Sequence, residues 1–218
     1  CLNFSCFQSI IEPNKNCSRC RRLYNFRKKN QSNNPDWFNA PVPTFGELSS
    51  SLLIVGLAPG LQGANKTGRP FTGDYAGDLL YKTINKFNFS KGMYAGTIDD
   101  SLKLKDCTIT NAVRCVPPQN KPISEEINNC NNFLKKTIEI NKNLKVIIAL
   151  GLIAHKSIIS ALNLKQKLYK FKHGNKHKVD NFILIDSYHC SRYNTNTGRL
   201  NQEMFEKIFF EAKKELKI

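Results

Sequence analysis

The 218-residue sequence has few acidic residues and no long hydrophobic run. Asp and Glu number 17 against 33 Lys and Arg, so the formal net charge is +16. A soluble domain this basic is typical of a protein that binds a polyanion such as nucleic acid. An AT-rich genome, which favours Lys, Asn and Ile whatever the function, is the alternative explanation. The longest apolar runs, near 147–150 and 183–185, fall far short of the roughly 18 residues that span a bilayer, so we expect no membrane partner.

No internal repeat, low-complexity stretch or coiled-coil pattern is present. Hydrophobic residues make up 40 % and charged residues 23 %, which excludes a wholly disordered chain. The length predicts one domain over residues 1–218, and we expect a monomer. Residues 1–43 have no clear periodicity and predict an irregular N-terminal segment.

The sequence also lacks a visible secretory signal, although it begins at Cys1 rather than Met, so an upstream targeting segment stays open. A domain with a full core does not need its eight cysteines as disulfide staples. Cys17-Ser-Arg-Cys20 with two distant partners instead indicates a metal site in a reducing compartment, and we expect a cytoplasmic protein. Four thiolates suit either zinc or an iron–sulfur cluster, and the spacing alone does not separate them.

Short apolar runs alternate with amphipathic segments over the rest of the chain. Buried strands are predicted at 51–57, 107–110, 146–150 and 182–185. Helices are predicted at 73–87, from Ser124 as the capping residue, at 151–162 and after Gly198. Strands that alternate with helices in this way favour a mainly parallel sheet. We therefore predict a three-layer α/β/α sandwich with a central four-stranded parallel sheet.

Ligands of such sheets bind at the carboxyl ends of the strands, which directs attention to the loops 58–74, 111–121 and 187–194. The first is rich in glycine but is neither a P-loop nor a Gly-x-Gly-x-x-Gly fingerprint. Asn111 and His189 follow predicted strands, and Asp74 ends the first loop at the start of a predicted helix. We expect these three side chains to converge on a small polar ligand.

Together the three loops resemble the uracil-DNA glycosylase superfamily, and most closely its iron–sulfur family 5, also called type B. That family carries Gly-Leu-Ala-Pro and then Gly-x-Asn-x-Thr-Gly-Arg-x-Phe-Thr-Gly-Asp, matched by Gly56–Pro59 and Gly63–Asp74. Its Thr-Asn-x-x-x-Cys-x-Pro-Pro block is matched by Thr110–Pro118. Its His-Pro-Ser-x-x-Asn motif is matched by His189–Asn194, with Cys190 in place of the usual Pro.

The resemblance implies a monofunctional enzyme that flips uracil, and other deaminated bases, out of DNA and hydrolyses the N-glycosidic bond. Asp74 would activate the water and stabilise the cationic sugar, Asn111 would bind the base edge or the water, and His189 would donate to uracil O2. Phe71 would stack on the base. The base carbonyls would meet the backbone of four consecutive residues: Leu57, Ala58, Pro59 and Gly60.

Two of these assignments have simpler alternatives. Asp74 precedes a predicted helix and could serve only as its N-cap. Phe71 could pack in the core without touching a ligand. Ala58 carries the subfamily assignment, because other branches place a polar or acidic residue there to position the water, and alanine cannot do this.

The resemblance also implies contacts with DNA. Tyr193 would wedge into the base stack and Arg192 would contact phosphate. A solvated surface loop is the alternative for both residues. The basic cluster 21–29 would add salt-dependent affinity for the backbone. Further contacts are expected from Asn65, Lys66, Arg69, Ser191 and Asn194.

By the same resemblance, a [4Fe–4S] cluster would be held by Cys17, Cys20, Cys115 and Cys130 and would staple the N-terminal segment to the domain. Cys1 and Cys6 are an alternative ligand pair, while Cys107 and Cys190 are surplus. Other functions remain open. A non-catalytic, metal-bearing nucleic-acid-binding protein or an iron–sulfur electron carrier would explain the charge and the cysteines. A branch that links covalently to DNA fits less well, because its His-bearing insertion after the first motif is missing.

Overall fold

The computed structural model describes residues 11–217, and a mixed sheet forms its centre. The strands are β1 (Phe45–Gly46), β2 (Leu52–Gly56), β3 (Ser90–Lys91), β4 (Lys103–Leu104), β5 (Cys107–Asn111), β6 (Val146–Leu150), β7 (Lys176–Val179) and β8 (Phe182–Ser187). The α-helices are α1 (Arg21–Asn33), α2 (Ala64–Thr67), α3 (Tyr75–Lys86), α4 (Ser124–Ile140), α5 (Leu152–Ala161), α6 (Arg192–Asn196) and α7 (Gln202–Leu216).

The main sheet has six strands in the order β1-β5-β2-β6-β8-β7 rather than the four predicted. The four predicted strands are its inner, parallel members, so that part of the prediction is confirmed. Two antiparallel strands, β1 and β7, cover the edges. They escaped prediction because β1 has two residues and because the Lys/His run of β7 resembles a solvated hairpin tip. Short or charged edge strands discourage pairing with another chain.

Each face of the sheet is covered by helices, which gives the three predicted layers. On one face, α3 and α7 pack their apolar sides against Leu52, Ile54 and Ile148. On the other face, α4 and α5 pack against Val55 and Ile147. Side chains of adjacent strand residues point to opposite faces, so strands covered on both faces are mostly apolar. Within residues 11–217, no helix has the length and apolar content needed to cross a membrane.

The sequence predicted an irregular N-terminal segment, and this prediction is wrong. The segment contains the helix α1. Its buried side consists of Leu23, Arg27 and Asn30, so polar residues occupy positions where a helix of this kind is usually apolar. The Arg27 guanidinium donates to the carbonyl oxygens of Lys15 and Cys17 at 3.0 and 2.6 Å. Tertiary hydrogen bonds therefore hold a segment that lacks an amphipathic pattern. Cys1 and Cys6 lie outside the described residues.

The cap of α4 also differs from the prediction. The helix begins at Ser124, but its N-cap is Ile123, and the Ser124 hydroxyl does not cap it. Glu126 instead accepts a hydrogen bond from the backbone N–H of Ile123 at 2.9 Å. The same carboxylate binds Arg22 of α1. The Glu126 carboxylate thus both closes the first turn of α4 and forms a tertiary ion pair. A local sequence pattern does not reveal the ion pair, because Arg22 is distant in the chain.

A buried network anchors the hairpin β7–β8 to α5. Asp186 of β8 is fully buried, and its two oxygens lie 2.6 Å from His155 Nδ1 and 3.0 Å from His177 Nε2. The other nitrogen of His155 lies 2.8 Å from the carbonyl oxygen of Tyr169, which can only accept. His155 Nε2 therefore donates to that carbonyl, and a proton lies between Nδ1 and the carboxylate. The network is fully hydrogen-bonded, so its burial is tolerated.

Removing the charge of Asp186 should destabilise the fold. The substitution Asp186→Asn would leave the His155 imidazole without its acidic partner in a dry environment, which costs about 3–5 kcal/mol when a buried pair is broken. We expect a melting temperature lower by roughly 6–20 °C for a chain of this size. The exposed Asp180→Asn, in the turn of the same hairpin, is the control and should melt like the wild type. Equal melting of Asp186→Asn and the wild type would show that the network contributes little.

Candidate functional site

The three loops singled out in the sequence meet at the carboxyl edge of the inner strands. They enclose one cavity of about 780 Å³, called the site cavity here. Asp74, Asn111, His189 and Phe71 all line it. Parallel pairing explains the convergence, because Gly56 at the end of β2 lies directly beside Asn111 at the end of β5. The first loop brings Asp74 back to the same place, where it starts α3.

Asp74 both caps α3 and faces the cavity. Its Oδ1 accepts a hydrogen bond from the backbone N–H of Gly77 at 2.9 Å. Desolvation by the cavity wall raises the pKa of the carboxyl, and the backbone N–H of Gly77 opposes this shift. A Cβ at Gly60 or Gly63 would lie 3.3 or 3.2 Å from Oδ2, so the glycines leave room on that side of the carboxylate. The cap therefore occupies one oxygen, while Oδ2 faces the glycine-lined side.

Asn111 is 3 % exposed, and its Oδ1 has no hydrogen-bond partner. An unpaired buried amide oxygen costs free energy unless a ligand or water supplies a donor. A Cβ at Gly56 would come within 2.5 Å of the Phe71 ring and would also collide with the Asn111 oxygen. Glycine at this position is thus what lets the amide and the ring approach each other.

Phe71 has a left-handed backbone (φ 55°), which is rare for a residue with a side chain. Its ring is 7 % exposed and stacks on His189, with centroids 6.0 Å apart and planes inclined at 27°. The ring therefore belongs to the core and to the cavity wall at once. Both sequence-based interpretations of Phe71 describe part of its environment.

His189 is partly accessible from the cavity but crowded by protein. Burial lowers the pKa of its imidazole to about 4, because the charged form loses water. The following residue, Cys190, is fully buried, and its thiol donates to the carbonyl oxygen of Ala76 in α3 at 3.5 Å. The side-chain amide of Asn194 donates to the His189 carbonyl at 2.8 Å. The His189 loop is thus fixed from both sides.

The loop 57–60 lines the cavity with all four predicted residues: Leu57, Ala58, Pro59 and Gly60. The lining residues that sequence reasoning missed include the polar side chains of Gln62, Tyr75 and Asn120. Asn120 and its neighbour Gln119 both have left-handed backbones, with φ of 57° and 56°. The only sequence signal was the Pro-Pro-Gln-Asn stretch, which indicates a turn without showing where it points.

The predicted DNA contacts divide into two groups. Lys66, Arg192 and Tyr193 are exposed, and Tyr193 keeps 73 % of its surface in solvent. Ser191 is the N-cap of α6, and its oxygen accepts from the backbone N–H of Asn194. Ser191 and Arg192 line the mouth of the cavity, and Tyr193 follows them directly in the chain.

Asn65 and Arg69, by contrast, are buried and do not suit the predicted contact with DNA. The Asn65 amide donates to the side chain of Asn39 at 2.9 Å. Arg69 forms two hydrogen bonds of 2.7 Å with Asp100 and a third, of 2.8 Å, with Thr72. Both side chains are occupied in holding the first loop. The sequence could not show this, because the partners lie far away in the chain.

The basic cluster 21–29 needs the same correction in part. Arg22 pairs with Glu126 at 2.7 Å, and Arg27 is 3 % exposed. Both are therefore structural in the described protein. The members that stay exposed and without an acidic partner are Arg21, Lys28 and Lys29.

The four cysteines predicted as ligands line a second, smaller pocket, called the cysteine pocket here. Cys17 and Cys20 come from the segment before and at the start of α1, Cys115 from the loop after β5, and Cys130 from α4. All four thiols are free. Backbone N–H of Arg114 donates to Cys130 Sγ at 3.3 Å, and the Asn129 amide donates to Cys20 Sγ at 3.7 Å.

Burial raises the pKa of the Cys115 thiol to about 12 and that of Cys130 to about 11, in the absence of a metal. Neutral buried thiols of this kind become anionic only when a cation takes the place of the proton. Four thiols meet in one pocket, and two of them accept hydrogen bonds from N–H groups. Both features fit a metal bound by thiolates.

The sequence belongs to a known family. The sequence profile of the uracil DNA glycosylase superfamily matches residues 43–213, which is most of the chain. The protein is therefore a member of the uracil DNA glycosylase superfamily.

Three curated relatives carry the name type-5 uracil-DNA glycosylase. The protein from Thermus thermophilus is 36 % identical over 213 residues, which cover 95 % of this chain and 97 % of the relative. That from Pyrobaculum aerophilum is 35 % identical over 210 residues, or 94 % and 92 % of the two chains. That from Mycobacterium leprae is 33 % identical over 207 residues, or 91 % and 90 %.

The lowered pKa of His189 can be tested by NMR. The His189 imidazole should titrate with a midpoint near pH 4 instead of the ordinary 6.5. Folding favours its neutral form, so its contribution to stability is complete above about pH 6.5 and is lost as the pH falls from there to about 4. The signal is assigned by its loss in His189→Asn. A midpoint near 6.5 would show that the ring is well solvated.

Proposed function

We propose that this protein is a monofunctional DNA glycosylase that removes uracil, and other deaminated bases, from DNA and leaves an abasic site. The observation that carries the proposal is the convergence of Asp74, Asn111 and a neutral His189 on one cavity beside a stacked aromatic ring. The type-5 names of the relatives over nearly the whole chain support the same substrate.

The reaction requires three kinds of group. As the bond from C1′ to N1 breaks, the electron pair stays with the base, and positive charge develops on the sugar. A donor must stabilise the base anion, an anion must stabilise the sugar, and a base must take a proton from the attacking water. The base itself must leave the duplex, which costs a few kcal/mol and least at a mismatch.

Asp74 is suited to the sugar side of this reaction. Oδ1 stays fixed by the helix N-terminus, and Oδ2 is free to orient water and accept its proton. Desolvation beside the cavity wall raises the pKa of the carboxyl, which makes it a stronger proton acceptor than an aspartate in open water. The water oxygen then bonds to C1′, and the products are free uracil and an abasic sugar.

The base side is formed by neutral donors and by a flat surface. A neutral imidazole keeps one N–H, so His189 can donate to uracil O2 without bringing a full charge into the cavity. The unpaired oxygen of Asn111 can accept the N3–H of uracil. Phe71 offers its face for stacking beside His189.

The outer surface supplies the affinity for DNA. Tyr193, exposed beside the cavity mouth, is placed to fill the gap that a flipped base leaves. Arg192 lines the cavity mouth and Lys66 is exposed, so both can meet phosphate, and the net charge of +16 adds salt-dependent attraction. We assign Asn65 and Arg69 to the support of the loop and not to DNA.

We also propose that the cysteine pocket holds a [4Fe–4S] cluster on Cys17, Cys20, Cys115 and Cys130. Zinc would require sulfurs about 3.8 Å apart, given tetrahedral bonds of about 2.3 Å. Within residues 11–217, the group of candidate ligands whose atoms all lie within 4.8 Å of one another contains no cysteine. A wider set of thiolates suits a cluster better than a single ion. When bound, the cluster would supply a cross-link between the N-terminal segment and the domain.

Residues 1–218 would form a single domain that acts as a monomer. The six described cysteines are free thiols, which favours a reducing compartment such as the cytoplasm. A non-catalytic nucleic-acid-binding protein would have no need of an unpaired buried amide facing an aspartate across a cavity.

The deciding experiment is a glycosylase assay on a 5′-labelled duplex that carries one U·G pair, followed by hot alkali. Strand cleavage at that position only after alkali would establish a monofunctional glycosylase. Cleavage without alkali would indicate lyase activity as well. Intact strands, with the cluster present and DNA bound, would refute excision of uracil.

The substitution Asp74→Asn separates the two roles of this residue. Asparagine can still cap α3 but cannot take a proton from water. We expect the excision rate to fall on the order of 10²- to 10⁴-fold while DNA affinity and melting temperature persist. Asp78→Asn, one turn further along α3 and exposed, is the matched control and should retain activity. Loss of DNA binding together with activity would point to damage of the fold.

The ligand assignment can be tested with Cys17→Ala. This variant should lose cluster iron and sulfide and should melt at a lower temperature, because binding of the cluster is coupled to folding of the segment. Cys107→Ala removes a buried thiol outside the pocket and should keep a full complement of iron and sulfide. A Cys17→Ala protein with unchanged iron content would contradict the assignment.

A further inference from the structure

Tyr94 lies outside the three loops of the site, yet its hydroxyl contacts the first of them. It belongs to the segment between β3 and β4, residues 92–102, called the buttress loop here. Its hydroxyl accepts a hydrogen bond from the backbone N–H of Gly73 at 3.3 Å and donates one to the carbonyl oxygen of Phe71 at 3.3 Å. One phenol therefore joins the backbone on both sides of Thr72.

These two backbone groups belong to a turn with left-handed backbone. Phe71 and Gly73 both have left-handed backbones, with φ of 55° and 82°. Such a conformation at a residue with a side chain persists only where surrounding contacts hold it. Gly77 contributes by lacking a Cβ, which would collide with the Phe71 carbonyl. The Tyr94 hydroxyl is the side-chain contact that fixes both ends of this short turn.

Tyr94 is itself held rigidly. Its ring stacks on Tyr81 of α3, with centroids 4.4 Å apart and planes inclined at 25°. The Arg69 guanidinium lies 5.6 Å from the centroid of the Tyr94 ring. Asp100, the partner of Arg69, also accepts from the backbone N–H groups of Ala95 and Leu102 at 3.0 and 3.2 Å. One ion pair thus orders the buttress loop and ties it to the first loop.

The chemistry of the hydroxyl suits this double contact. Burial raises the pKa of the Tyr94 phenol, so the group stays protonated and can donate and accept at once. Phenylalanine would keep the ring and its stacking but would leave the Phe71 carbonyl and the Gly73 N–H without this partner.

We propose that Tyr94 is a positioning residue for base excision: its hydroxyl fixes the turn 71–73 so that the Phe71 ring and the Asp74 carboxylate face the same point of the site cavity. This role rests on the proposed glycosylase function. It acts on geometry within the cavity and leaves the exposed DNA-binding surface around Tyr193 unchanged.

The test compares Tyr94→Phe with the wild type under single-turnover conditions, with enzyme in excess over a U·G duplex. We expect the excision rate constant to fall about tenfold, because small displacements of catalytic groups cost that much or more. The dissociation constant for a duplex carrying 2′-fluoro-2′-deoxyuridine, which resists excision, should stay within about twofold of the wild-type value. A purely structural role would lower the melting temperature without separating rate from affinity.

Two further variants make the outcome decisive. Tyr169→Phe removes the hydroxyl of another half-buried tyrosine, outside the site cavity, and should leave the rate unchanged. Tyr94→Leu removes the ring as well. All rates are compared at a temperature at which circular dichroism shows every variant folded.

Each result has one meaning. A slow Tyr94→Phe with normal affinity supports the proposal. A Tyr94→Phe rate within twofold of the wild type overturns it, and a slow Tyr94→Leu alone would then assign the effect to the ring. Loss of rate and affinity together would also overturn it, in favour of general support of the loop. An inactive wild type would refute the proposed function itself and this role with it.

Discussion

Parallel pairing of β2 between β5 and β6 is the constraint on which the rest of the site depends. It fixes Gly56 beside Asn111 and delivers the loops that follow β2, β5 and β8 to the same edge of the sheet. Apolar strands buried on both faces hold this register, because a slip would move large side chains into occupied space. The glycine at the end of β2 then allows the Asn111 amide and the Phe71 ring to meet.

The electrostatics of the cavity follow from that enclosure. Partial desolvation at the cavity wall lowers the pKa of His189 and raises that of Asp74, so one environment yields a neutral donor and a more basic carboxylate. The helix N-terminus limits the shift at Asp74 through the N–H of Gly77. The pKa values of His189 and Asp74 are thus shifted mainly by desolvation and not by a charged partner.

The cysteine pocket is not isolated from this cavity. Ala58 lines the site cavity and also packs against the apolar residues that surround the cysteines. Cys115 lies on the loop that leads from Asn111 to Asn120, so this one loop contributes residues to both pockets. Arg27 secures the carbonyl of Cys17, and Arg22 joins α1 to α4 through Glu126. Order in the N-terminal segment is therefore coupled to the wall of the site.

Local patterns in the amino-acid sequence were enough to predict the inner strands, the main helices and the loops that carry the site. The inner strands are short, largely apolar runs, and the loop between Gly56 and Asp74 has a glycine-rich pattern that resembles one family. The same local signals placed Asp74 at the start of α3.

Which charged residues face solvent depends on contacts that form only when the chain folds. Arg27, Arg69 and Arg114 are buried because their partners, from backbone carbonyls to Asp100, are brought near by folding. The edge strands, the helix α1 and the contact of Tyr94 with the first loop likewise depend on segments distant in sequence. Hydrogen bonds between such segments have no local pattern, since they exist only once the chain is packed.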